Sequence, residues 1–114
     1  MMVAIDVAEL MAQIKAAASQ VLSKDVATLR GFSERQLKAI AQQAELLAKG
    51  IVSGGITEET RDFFLDSLED MALNFVKTLR GLLMVTIEKV WNAVVAVLWQ
   101  ALENATGLRL AAVD

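Results

Sequence analysis

From Thr57 to Ala105 the chain runs without a proline and with one glycine, Gly81. Nothing in this stretch forces the backbone off a helical path, so it predicts a single very long helix. At about 1.5 Å per residue, ~49 residues would extend roughly 74 Å. The remainder of a 114-residue chain is too short to cover a rod of that length. Part of its apolar surface then needs a partner, which could be another copy of the chain, a different protein, or lipid.

Glycines at 31, 50, 54 and 55 divide the rest of the chain. The first segment opens at Asp6 with Glu9 three residues on, a variant of the capping box. Its apolar residues Val7, Leu10, Met11, Ile14, Ala17, Ala18, Val21 and Leu22 recur at helical spacing. They predict a helix that either runs on to Leu29 or breaks near Ser23. In the second segment Ser33 caps the first turn, with Gln36 reaching back and Phe32 stapled on Leu37. Gly50 is expected to close it in the left-handed conformation, with Ile51 folding back on Leu46. The stripe between is Leu37, Ile40, Ala41, Ala44, Leu47 and Ala48, whose alanines allow close helix approach. Ser53-Gly54-Gly55 is a turn, after which Thr57 caps the long helix and Glu58, Glu59 and Asp62 sit by its positive end. The expected fold is all-α with three helices, at about 6–29, 34–49 and 57–105, assembling into an oligomeric helical bundle. Residues 1–114 make one domain, in which 1–55 form a helical hairpin.

The long helix changes face along its length. At about 100° per residue, Phe64, Leu68, Met71, Phe75, Leu79 and Leu82 fall on one narrow seam. Beyond Gly81 the apolar residues centre roughly 120° away from that seam, as Leu83, Ile87, Val90, Trp91, Val94, Val95, Val97 and Leu98. A straight helix with this pattern cannot face one partner throughout. It kinks or breaks at Gly81, or its halves have different partners. The expectation is an intrachain first half and an interchain second half, with Ile87, Val90, Trp91, Val94, Val95, Leu98, Trp99 and Leu102 as the interface. Leaving six of these large side chains in water would forgo roughly 10 kcal/mol, comparable to the whole stability of a small domain. The competing expectation is that the same face is core against the first two helices, with no oligomer.

Composition narrows the function. The chain has no cysteine and no histidine, which removes disulfides, thiol nucleophiles, Cys/His zinc sites and any Ser–His pair. Its net charge of −3, with scattered basic residues, argues against nucleic acid. The start, Met1-Met2-Val3-Ala4-Ile5-Asp6, lacks a basic region followed by an apolar stretch, so a cytoplasmic protein is the default expectation. Ser33, Ser53 and Thr57 read as caps and turn residues. Trp91 and Trp99 read as interface or core anchors. No cofactor and no metal is implied.

The favoured function is a non-catalytic, homo-oligomeric structural, scaffolding or adaptor protein, whose partner is itself or another helical protein. A membrane-associated or membrane-permeabilising protein is the alternative, because Leu82–Leu102 has the length to cross a bilayer. Glu88, Lys89 and Asn92 inside that segment oppose it.

An enzyme is the third reading. Its foothold is the acidic run Glu58, Glu59, Asp62, Asp66, Glu69 and Asp70. Glu58-Glu59-x-x-Asp62 resembles the acidic helix of the all-α nucleotide pyrophosphohydrolases, and that resemblance implies magnesium-dependent hydrolysis. The family carries a second Glu-x-x-Asp on a following helix, and none occurs after Asp70. Acids at a helix start otherwise complement its dipole and keep the surface soluble.

Overall fold

The computed structural model describes residues 4–109, which hold four α-helices and one 3-10 turn and no strand. Met1, Met2 and Val3, on which the expectation about the start of the chain partly rests, lie outside them. Helix α1 spans Val7–Leu22, and the Asp6 carboxylate accepts the Glu9 amide at 3.1 Å as its cap. It ends earlier than the expected Leu29. Ser23 turns left-handed at φ 58°, and Asp25 caps a separate 3-10 turn, Val26–Thr28. The Val26 amide donates to the Ser19 hydroxyl at 2.9 Å, which folds the turn under α1 and buries the Val26 side chain.

Helix α2 spans Glu34–Ser53 and is capped by Ser33, whose hydroxyl accepts the Gln36 amide at 3.1 Å. All six residues of the expected stripe are buried. The expected stop at Gly50 is corrected, since the helix runs four residues beyond Lys49 and Gly54 takes the left-handed φ. Gly50 serves a close approach instead. A Cβ there would come within 2.6 Å of Ile56, whose amide bonds the Gly50 carbonyl.

The expected long helix is two helices, so the count is four and not three. Helix α3 spans Glu58–Lys77 and α4 spans Met84–Thr106. At the junction the Thr78 hydroxyl donates to the Phe75 carbonyl, and Gly81 sits at φ 83°, a value that continues no right-handed helix. The turn is held from outside as well. The Arg80 amide donates to the Arg30 carbonyl at 2.8 Å, and Gly31 lies so close that a Cβ would strike the Thr78 carbonyl.

Each helix runs antiparallel to the one before it. One end of the bundle gathers the α1–α2 and α3–α4 turns, and the other gathers Ala4, Ile5, Val52 and Ala105. Helix α4 packs most extensively against α1 and also touches α2 and α3. The core is aliphatic, with Phe75 its largest fully buried side chain and Phe32 edge-on to it at 5.9 Å. No described polar or charged residue is buried.

Candidate functional site

The eight residues expected at an interface divide by depth. Val90, Val94, Leu98 and Leu102 are 0% exposed within the single chain. Ile87, Trp91, Val95 and Trp99 are half-buried and pack against the same core. The centre of the stripe expected as an assembly surface is occupied by the chain's own helices, and its flank is half-buried against them. The break at Gly81 is the cause, because it lets α4 fold back onto α1–α3. Trp91 is an intramolecular anchor, its indole N–H donating to the Glu69 carbonyl on α3 at 3.1 Å. The third-of-a-turn rotation between the two seams follows from the same fold. Two helices entering one core from different sides present different faces of a shared numbering.

The acidic run lies along α3. Among the described residues no three or more carboxylates converge to hold a metal ion. Glu69 is the member with a perturbed proton affinity. Burial raises its pKa above the ordinary 4.5, and the charges of Asp66 and Asp70 add to the rise. Thr57, expected as a cap, begins α3, and its amide donates to the Thr60 hydroxyl at 3.1 Å.

What the fold leaves uncovered is elsewhere. Leu83, Met84 and Val85, consecutive at the start of α4, are 73%, 69% and 54% exposed. The expected helix over 57–105 places them inside one rod, and the alternative of a break at Gly81 is what lets them project at the start of a new helix. No signal other than the break itself would have exposed them. Around them on the same end stand the exposed cations Arg30, Lys77, Arg80 and Lys89, with Lys24 and Arg35 at the α1–α2 turn. Of the acids here, Asp25 caps the 3-10 turn, Glu34 pairs with Lys15 at 2.9 Å, and Glu88 is exposed.

The opposite end has the reverse charge. Asp6, Glu9, Glu58, Glu59 and Asp62 are exposed there, against Lys49, Arg61 and Arg109. Phe63 on α3 is 72% exposed, and Leu46 and Val52 project from α2. An open apolar groove of about 190 Å³ lies between Ala4, Ile5, Ala48, Val52 and Ala105, flanked by the Glu45–Lys49 pair. A neighbouring groove of about 160 Å³ runs beside Asp6, Glu9 and Asn104. Both are below the ~300–1,000 Å³ usual for small-molecule sites.

Helix α4 is long and apolar enough to cross a membrane by length and composition. Its buried stripe faces the other helices of the chain.

No protein-family model matches the chain, and no curated protein and no solved structure is significantly similar to it.

Proposed function

We propose that this protein is a non-catalytic scaffolding or adaptor protein that works by self-association, through the ends of its bundle and not through the stripe of α4. The observation that supports this is the exposed Leu83-Met84-Val85 turn. Three adjacent large apolar side chains in water forgo about 1.5–3 kcal/mol each relative to burial, and a contact surface is the ordinary reason for keeping them. The turn before them is held by the Arg80 amide donating to the Arg30 carbonyl, and the Leu83 carbonyl accepts the Thr86 and Ile87 amides at the start of α4.

The test is the solution mass of the chain in detergent-free buffer. A species heavier than the 12.4 kDa chain, growing with concentration, is expected. A single chain at every concentration up to the millimolar range would sink the reading.

A membrane-associated role is the second reading, and the 23-residue length of Met84–Thr106, with an 18-residue window of mean hydropathy 1.2, favours it. A membrane span would draw Val90, Val94, Leu98 and Leu102 out of the core, so this reading requires the bundle to open. Recovery of the chain only from membranes would decide for it.

A further inference from the structure

The two ends of the bundle carry opposite charge balances, and each has an apolar feature. One carries the protruding apolar turn Leu83-Met84-Val85 among Arg30, Lys77, Arg80 and Lys89. The other carries the apolar groove lined by Ala48, Val52 and Ala105, with Glu45 and Lys49 at its side, on the end that also holds Asp6, Glu58, Glu59 and Asp62. We infer that the chain associates head to tail, the Leu83–Met84 knob of one copy seating in the Ala48–Val52–Ala105 groove of the next. The inference rests on the self-association proposed above and specifies its geometry.

The groove, about 190 Å³ and open to solvent, offers the apolar side chains of Ala48, Val52 and Ala105 as a contact for the end of a leucine or methionine side chain. The Glu45–Lys49 pair leaves the groove's own lining balanced, but the basic and acidic ends as wholes attract each other and repel their like, which favours head-to-tail orientation. The molecule measures 42 × 27 × 19 Å, with its two ends on opposite sides of the fold. Knob and groove are different patches, so the contact is heterologous. It leaves one free knob and one free groove after every addition, and yields a ring or an open filament. The small ends make each contact a weak, salt-sensitive one of the transient class. An anionic bilayer would also attract the basic end, but it would leave the groove and the acidic end without a role.

Two variants separate the ends. Leu83→Ser with Arg80→Glu spoils the knob. Leu83 is the N-cap of α4 and makes no side-chain cap bond, so serine there favours the fold and removes only the apolar contact. Val52→Lys spoils the groove at a solvent-exposed position, adding a cation that repels the basic end. Circular dichroism and thermal melts establish that both variants fold. Sedimentation velocity over a concentration series, at low and high salt, then reads the assembly.

The parent chain is expected to form species that grow with concentration and shrink with salt. Each variant alone should associate about tenfold more weakly or less. An equimolar mixture should give a dimer and nothing larger, because one variant keeps its groove and the other its knob. If the parent self-associates and either variant keeps the parent's mass, the head-to-tail geometry is wrong while the self-association proposal stands. A mixture that stays monomeric overturns the geometry in the same way. A parent that remains a single chain overturns both. If that single chain co-sediments with phosphatidylglycerol vesicles and the knob variant does not, the turn is a lipid contact instead.

Discussion

The indole nitrogen of Trp91 on α4 donates to the backbone carbonyl of Glu69 on α3, at 3.1 Å. One side chain thus pins together the two helices that the sequence presents as one. Replacing Trp91 with Phe keeps most of the ring contact and removes the donor. A loss of about 0.5–1.5 kcal/mol is expected, read as a lower urea midpoint with an unchanged slope.

Leu98 lies at the centre of the stripe that the core absorbs. Leu98→Ala should cost about 2–5 kcal/mol through the cavity it leaves, with no dependence on protein concentration. If the loss instead grew on dilution, Leu98 would belong to an interface between copies and the single-chain core would be wrong.

Two glycines share a left-handed conformation and differ in space. Gly81 has nothing within 4 Å of where a Cβ would stand, so alanine meets only the backbone penalty of about 1–2 kcal/mol. At Gly31 a Cβ would also collide with the Thr78 carbonyl and force the crossed turns apart. Thermal melts should rank Gly31→Ala well below Gly81→Ala, and equal losses would contradict the crossing.

Glu69 gives the fold a pH dependence. Its folded pKa is raised, first by burial and then by Asp66 and Asp70. Between the unfolded value and the raised one the folded state holds more protons, so stability falls as pH rises through that window. Above the window the loss persists. Glu69→Gln should therefore be more stable than the parent at neutral pH, with the difference vanishing below the ordinary carboxylate range. A constant difference from acid to neutral pH would show that the carboxyl charge is not its cause.

The stripe Leu37, Ile40, Ala41, Ala44, Leu47 and Ala48 is legible from spacing alone, because a helix buried on one side must repeat its apolar residues at its own period. The α3–α4 junction is only half legible. A glycine inside a helix costs about 1 kcal/mol, too little to dictate a break, and the hydrogen bond from Arg80 to Arg30 that holds the turn is a tertiary event. The apolar face of α4 is visible as a face, but its partner follows from that break. The length argument for an external partner applies to a rod and lapses for two helices folded back on each other. The knob at Leu83 is hidden in the sequence for the same reason.

The broadest helix contact joins the first helix to the last. A ribosome delivers α1 long before α4, and synthesis at about 5–20 residues per second leaves seconds between them. Through that interval part of the apolar face of α1, which carries Leu10, Ile14 and Ala18, lacks its main cover. Until α4 has emerged that face of α1 stays adhesive, and the docking of α4 ends its exposure to chaperones and to neighbouring chains.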